Sequence, residues 1–158
     1  MFSPNQDHPC SVIIKPTNGD FLHDYESGDN LHIALTDSRG QVYEFDRAGV
    51  TKRERTREWN KCLVVNLNSA ADPDMVGDPD WGEYWDWRLH SISDNAAASG
   101  FAAKDYEEVE HNCMAFVLAF LASLKQVCRL RLDSYFVAFD LNKVQNSFSI
   151  RFFGIPVL

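Results

Sequence analysis

The sequence has few of the residues that cross-link or anchor small proteins. Its four cysteines, at positions 10, 62, 113 and 128, form no Cys-x-x-Cys pair, so neither a disulfide framework nor a structural zinc site is expected. The longest apolar run, 114–121, is far too short to cross a bilayer, and the N-terminus has no apolar segment of signal-peptide length. We therefore expect free thiols, no metal, no cofactor, no membrane span and a cytoplasmic setting that could include the nucleus.

Positive charge is also scarce. The 15 Lys and Arg residues are outnumbered by 23 Asp and Glu residues, which gives a formal net charge of −8. This balance disfavours nucleic acids and anionic membrane surfaces as partners and favours proteins with basic surfaces. The one dense basic run, 52–57, is interpreted as a solvated loop. The sequence does not indicate an oligomeric state.

What the chain does have is enough apolar material for a core. Its 158 residues are 45% hydrophobic and 13% aromatic, which is typical of one globular domain over 1–158. We expect residues 1–9 to be flexible and 129–158 to be a strand-rich tail whose packing the sequence does not determine.

The apolar pattern predicts both strands and helices. Strands are predicted over 11–15, 31–36, 41–45 and 62–67, and again over 130–132, 135–139 and 147–153. One amphipathic helix follows Asp80, which is a capping residue with Glu83 three positions later, and a strongly apolar helix covers 113–126. A flexible connection, 95–101, lies between the two helices. No β-α-β rhythm repeats, so an α+β fold with an antiparallel sheet packed against the 113–126 helix is expected.

The start of the apolar helix carries a cysteine. Asn112 can cap the helix, which places Cys113 in the first turn, where free N–H groups and the helix dipole favour a thiolate. Against this, Glu107, Glu108 and Glu110 lie just upstream and would raise the pKa of the thiol if they are close. A purely structural role for Cys113 in the core is the alternative.

A base for this thiol can be sought among the five histidines. His32 lies in an apolar strand, on the face that alternation gives to Ala34 and Thr36, where the smaller neighbours leave space for an imidazole. It could exchange a proton with a thiol. An orienting carboxylate would come from the next strand, as Glu44 or Asp46 depending on the register of the hairpin, although a two-residue dyad is equally compatible. We rank His111 below His32 because it precedes the capping residue.

Several separated segments resemble the makorin opposite-strand protein family. The run 10–22, the hairpin 31–45 with Gly49-Val50, and Tyr106 followed by His111-Asn112-Cys113 carry the similarity, which covers roughly 10–126. Two of these segments are similar to permuted papain-like thiol peptidases, including the PPPDE group and the lecithin-retinol-acyltransferase and NlpC-P60 relatives. The chain departs from them after Cys113, where the helix continues directly into apolar residues, and 129–158 does not resemble the family's ending.

The resemblance implies a permuted papain-like fold in which His32 and Cys113 take the positions of the catalytic pair. The hypothesis that follows is a cysteine hydrolase of the isopeptidase or deconjugating type, with Asn112 or first-turn N–H groups supporting an oxyanion. The competing hypothesis is a catalytically inactive papain-like module that binds or scaffolds proteins, since a fold does not by itself give an activity.

Overall fold

A five-stranded antiparallel sheet forms the centre of the computed structural model, which describes residues 8–26, 28–53, 59, 61–67 and 81–125. The strands are β1 (Ser11–Pro16), β2 (Leu31–Thr36), β3 (Val42–Asp46), β4 (Gly49–Arg53) and β5 (Leu63–Asn66). The helices are α1 (Trp81–Ser93), the one-turn α2 (Ala96–Ser99) and α3 (Cys113–Lys125), with a 3-10 turn at Ala103–Asp105. The predicted α+β class and antiparallel sheet are confirmed.

The strand order is β4-β3-β2-β1-β5, so the predicted β2–β3 hairpin continues through a second hairpin to the edge strand β4. β1 pairs with β2 along its length, from Val12 with Leu35 to Pro16 with Leu31. The described pairing of β2 with β3 comprises Leu35 with Tyr43 and Thr36 with Val42. The first residues of β2 are therefore outside this ladder with β3, and His32 belongs to them.

Two groups of buried side chains flank the sheet, as the alternation of strand residues requires. The main core joins the strands to α1 and α3, and its largest fully buried members are Trp85, Tyr43, Phe45, Phe116, Phe120, Ile14, Leu35, Leu89 and Leu124. A smaller cluster contains Ile13, Ala34, Val42, Trp59 and Cys62. Since neighbouring residues of β2 divide between the two clusters, the predicted alternation of this strand is observed.

Helix α1 is tied to the end of the β2 strand by polar contacts as well as by packing. The indole Nε1 of Trp85 donates to the carbonyl of Thr36 at 2.9 Å. The Asp86 carboxylate accepts from both the amide and the hydroxyl of Ser38, at 2.8 and 2.6 Å. Trp81, Trp85 and Leu89 of this amphipathic helix are buried in the core, whereas Trp87 is exposed.

Two segments that the sequence predicts to be loops contain regular structure. The basic run 52–57 is predicted to be a solvated loop, but its first two residues belong to β4, which pairs with β3 from Val42–Arg53 to Asp46–Gly49, and 54–57 lie outside the described residues. The segment 95–101 was predicted to be a flexible connection, but it contains α2, which Gly100 ends at a φ of 82°. In the first case the pairing of β4 with β3 decides the structure, and local composition does not reveal that pairing.

Some predictions fall on residues outside the described part of the chain. These are the Asp80 cap, the strands over 130–153, the tail 129–158 and the N-terminal residues 1–7. Within the described residues, the predicted helix over 113–126 begins and ends within one residue of α3.

Candidate thiol site

The first turn of α3 holds the candidate nucleophile. Asn112 Oδ1 accepts a hydrogen bond from the Met114 N–H at 3.0 Å, which is the capping contact that the sequence predicts. Cys113 follows as the first helical residue, and its side chain packs into the main core with the residue only 8% exposed. The helix is apolar along its length, so its packing fixes the position of the thiol against the sheet.

His32 lies beside this turn, near the start of β2. Its Nε2 is 3.0 Å from Oε2 of Glu44 on β3, and the exposed fractions of the two side chains are 16% and 5%. The Cys113 side chain also lies close enough to the imidazole to contribute to its charge state. Since Glu44 occupies Nε2, the geometry leaves Nδ1 as the ring nitrogen available to the sulfur. The structure therefore brings three of the predicted site residues into one connected group.

The charge state of His32 follows from this environment. Burial lowers its pKa, but hydrogen bonds with Cys113 and Glu44, together with the negative charges of both, outweigh burial and raise the pKa from 6.5 to about 9. The imidazole is therefore held as a cation at neutral pH. It can stabilise a thiolate and later act as an acid, whereas a neutral ring would first have to take the thiol proton.

Glu44 is the partner that keeps this cation in place. Burial raises the pKa of its carboxyl group, but the hydrogen bond from His32 and the charges of His32, Arg53 and Lys15 bring the pKa below its ordinary value. Its second oxygen, Oε1, lies 2.5 Å from Nε of Arg53 in an ion pair. A buried carboxylate between two cations satisfies the requirement that buried charges be paired.

Asp46, the alternative orienting carboxylate, is placed elsewhere. Its Oδ1 accepts from the Ala48 N–H at 2.7 Å in the β3–β4 turn, and its Oδ2 lies 3.9 Å from the guanidinium of Arg53. The register of the hairpin thus selects Glu44 as the carboxylate beside the imidazole. Asn112 is engaged as well, because its amide donates to the Glu108 carbonyl at 2.8 Å, which leaves it a capping residue rather than an oxyanion donor.

Two of the three glutamates before the cysteine have carboxylate contacts of their own. Glu107 Oε2 accepts from the Glu110 N–H at 2.6 Å, and Glu108 forms an ion pair with Arg47. These contacts direct two of the carboxylates within their own turn or toward the β3–β4 hairpin. They account for two of the three carboxylates that the sequence places just upstream of Cys113.

His111 also points away from the thiol. Its Nε2 lies 2.7 Å from the carbonyl of Gly100, and its ring stacks on Phe101 with centroids 5.0 Å apart and an interplanar angle of 14°. The ring is enclosed by Phe45 as well. This histidine therefore fastens the segment before α3 to the core, in keeping with its lower rank as a base.

Two residues of this group were not predicted from the sequence. Arg53 belongs to the run that the sequence predicts to be a solvated loop. If Gly49-Val-Thr-Lys-Arg53 is instead treated as a strand paired with β3, the alternation of its residues places Arg53 on the same face as Glu44. Trp59 is fully buried, and its ring centroid lies 5.6 Å from that of the His32 ring. The Nζ atom of Lys15 lies 5.3 Å from the centroid of the Trp59 ring. Trp59 excludes water from one side of the imidazole, and no local pattern marks it.

A separate hollow of about 340 Å³ lies away from the thiol and is lined by residues of the segment that connects β1 to β2. Two carboxylates line it, and both already accept backbone bonds: Asp24 from Asp20 at 2.8 Å and Asp29 from Glu26 at 2.9 Å. We assign it no function.

Among the described residues, no group of three or more His, Cys, Asp or Glu side chains is arranged to hold a metal ion. The described helices include none that is long and apolar enough to cross a membrane.

Comparisons with known proteins identify the family. The family model described as DUF4796 C-terminal matches residues 2–146. The human MKRN2 opposite strand protein is 31% identical over 121 residues, which cover 76% of this chain and 49% of that protein. The chain thus spans about half the length of this curated relative. No solved structure matches the chain. Because the family model covers most of the sequence, the chain belongs to the DUF4796 C-terminal family.

Proposed function

We propose that the protein is a cysteine hydrolase with a papain-like arrangement, in which Cys113 is the nucleophile, His32 the acid and base, and Glu44 the orienting carboxylate. The observation that carries this proposal is the buried group of Cys113, His32 and Glu44, in which His32 Nε2 lies 3.0 Å from the Glu44 carboxylate and the Cys113 side chain contributes to the charge state of the imidazole. A nucleophile, a base and a group that orients the base are the minimal parts of such a site.

The raised pKa of His32 and its contact with Glu44 suggest an order of events. The Cys113 thiolate attacks a carbonyl carbon and forms a C–S bond, while a first-turn N–H binds the oxyanion. The Met114 N–H is already used by the Asn112 cap, so this role passes to the N–H of Cys113 itself. The His32 imidazolium then gives its proton to the leaving nitrogen or oxygen as the C–N or C–O bond breaks, and a thioester remains on Cys113.

Water completes the cycle. Neutral His32 takes one proton from water, the hydroxide attacks the thioester carbon, and the C–S bond breaks to release a carboxylic acid. This returns the enzyme to its thiolate and imidazolium. Glu44 stays ionised throughout, since its role is to hold the ring and stabilise its positive charge. The net charge of −8 favours substrates whose surfaces are basic, and an isopeptide or ester on such a protein is the substrate class that we propose.

Site-resolved alkylation tests the nucleophile. Wild type, Cys113→Ala and His32→Ala are treated with iodoacetamide across pH, and each cysteine is quantified by mass spectrometry. Cys10 and Cys62 serve as internal controls, because burial raises the pKa of both thiols, that of Cys10 to about 12. We expect Cys113 to react fastest near neutral pH and to slow at least tenfold in His32→Ala. Equal and slow labelling of all cysteines in the wild type would refute the proposal.

Turnover needs a second assay. Treatment with p-nitrophenyl acetate should give a burst of p-nitrophenolate and an acetyl group on Cys113, which disappears as the thioester hydrolyses. The burst should be absent in Cys113→Ala. An acetyl group that forms on Cys113 but never leaves would show that the residue is nucleophilic without being a catalyst.

One observation favours a second candidate function. Cys113 is only 8% exposed, so the described residues cover most of the thiol that a substrate would have to reach. A catalytically inactive module that retains the papain-like arrangement and binds proteins would tolerate such burial. Slow alkylation of Cys113 that does not change in His32→Ala would favour this module over the hydrolase.

A further inference from the structure

Arg53 lies on the far side of Glu44 from the imidazole. In the β3–β4 ladder Glu44 is paired with Thr51, so Arg53 is two residues further along the same face of the edge strand. Diagonal positions of this kind are within reach of long side chains. The Arg53 side chain is 37% exposed, whereas Glu44 beneath it is 5% exposed, so the guanidinium covers the carboxylate on the solvent side.

The two carboxylate oxygens of Glu44 contact different residues. Oε1 lies 2.5 Å from Nε of Arg53, and Oε2 lies 3.0 Å from Nε2 of His32. The same guanidinium has its Nη2 3.9 Å from the Asp46 carboxylate, which gives it a second anchor on β3. The guanidinium thus places a permanent positive charge against Glu44 while its other end faces Asp46, and the planar group has fewer orientations open to it than a flexible ammonium would have.

We propose that Arg53 is a positioning residue of this site, which holds Glu44 ionised and oriented so that Glu44 keeps the His32 imidazole directed at Cys113. The role rests on the proposed function. It also extends the site to β4, the edge strand of the sheet, beyond the helix and the two strands that carry Cys113, His32 and Glu44.

The charged groups that face Glu44 determine how the loss of Arg53 would change the pKa of this carboxyl group. They are His32 from β2, Arg53 from β4 and Lys15 from β1, all cations, with Asp46 on the outer side of Arg53. Loss of Arg53 removes the nearest permanent cation and leaves Lys15 and the titratable His32. The pKa of Glu44 should then rise, so the carboxylate would protonate and release the imidazole at a higher pH. A residue that only packed against the sheet would not have this effect.

The test uses the full chain with Arg53→Met, which keeps an unbranched stem but removes the charge, and Arg53→Lys, which keeps the charge but loses the planar fork. Arg39→Met is the matched control, because Arg39 is an exposed arginine of the β2–β3 turn outside the set of charges that face Glu44. The His32 ring resonances are followed by NMR from acid to alkaline pH. They report Glu44 directly as an inflection at acid pH, since Nε2 and the carboxylate are in contact.

We expect Arg53→Met to move this acid inflection upward by about one pH unit, with Arg53→Lys close to wild type and Arg39→Met unchanged. Iodoacetamide labelling of Cys113 at neutral pH should fall several-fold in Arg53→Met and partly recover in Arg53→Lys. If Arg53→Met does not fold, the equally neutral Arg53→Gln replaces it. An inflection at the wild-type pH in the neutral variant would overturn the proposal.

The two proposals fail in different ways. If wild-type labelling of Cys113 does not depend on His32, the hydrolase proposal fails whatever Arg53 does. If labelling depends on His32 but remains at the wild-type rate in Arg53→Met, the positioning role of Arg53 is wrong and the hydrolase proposal stands.

Discussion

The Nε2 atom of His32 and the Oε2 atom of Glu44 lie 3.0 Å apart, although the residues are 12 positions apart in the sequence and belong to different strands. This contact and the Cys113 thiol hold a buried imidazole in its charged form. The first two predictions concern the effect of that charge on the pKa of His32 and on the stability of the fold.

Replacing Glu44 with Gln keeps the shape of the side chain but removes its negative charge. We expect the pKa of His32 to fall from about 9 toward its ordinary value of 6.5, because the neutral amide stabilises an imidazolium less than a carboxylate does. An NMR titration of the His32 ring measures this. Asp46→Asn removes a neighbouring carboxylate whose described contacts do not include the ring, so it should cause a much smaller decrease. Equal decreases in both variants would show that the contact itself is unimportant.

The raised pKa of His32 predicts a dependence of stability on pH. For a group whose pKa is higher in the folded state, the stabilisation is complete below the unfolded value of 6.5 and is lost as the pH rises through the folded value of about 9. A difference of that size corresponds to at most on the order of 3 kcal/mol. Urea unfolding from about pH 6 to about pH 10 should show a decrease for the wild type that is smaller in His32→Gln. Parallel curves for the two proteins would contradict this prediction.

The Asn112 cap predicts a separable effect on helix α3. Asn112→Ala removes the acceptor of the Met114 N–H and should lower the free energy of unfolding by about 1 kcal/mol. Asn112→Ser restores an acceptor at the same position and should recover most of this loss, although it cannot replace the amide bond to the Glu108 carbonyl. Urea denaturation of the three proteins provides the measurement. A serine variant no more stable than the alanine variant would mean that the Glu108 contact, not the cap, is the stabilising one.

Gly49 begins β4 in a conformation that other residues rarely adopt. Its φ is +91°, and a Cβ added there would lie 2.9 Å from the backbone nitrogen of Ala103. Gly49→Ala should therefore cost about 2–3 kcal/mol, from backbone strain together with displacement of the 3-10 turn. Gly100→Ala is the matched control, since Gly100 has a φ of +82° but no neighbouring atom within 4 Å, and strain alone should cost about 1 kcal/mol. Similar losses in thermal stability would rule out the steric contribution.

Much of the central sheet and the nucleophile-bearing helix could be predicted because their patterns are local. The alternation of β2 and the apolar run of α3 each extend over at least one full element, so the bounds of both agree with the structure to within a residue. His32 and Cys113 could also be proposed in advance as site residues, because the positions of a strand histidine and of a cysteine after a capping residue agree with the resemblance, although each residue alone is equally compatible with a structural role.

Other parts depend on contacts that a linear pattern does not contain. The choice between Glu44 and Asp46 required the register of β3, which a one-residue slip would reverse. The role of Arg53 required the hairpin that turns β4 back onto β3, and that hairpin depends on Gly49 passing close to Ala103. Trp59 reaches the imidazole from another segment of the chain. Each of these is a relationship between distant residues, set by packing rather than by composition.

His32 and Glu44 lie on adjacent strands, whereas Cys113 belongs to helix α3. The contribution of Cys113 to the pKa of His32 therefore depends on the docking of the helix, while the Glu44 contact depends only on the sheet. Detachment of α3 should move the pKa of His32 without abolishing the Glu44 contact, so the His32 resonance would report docking of the helix separately from pairing of the strands.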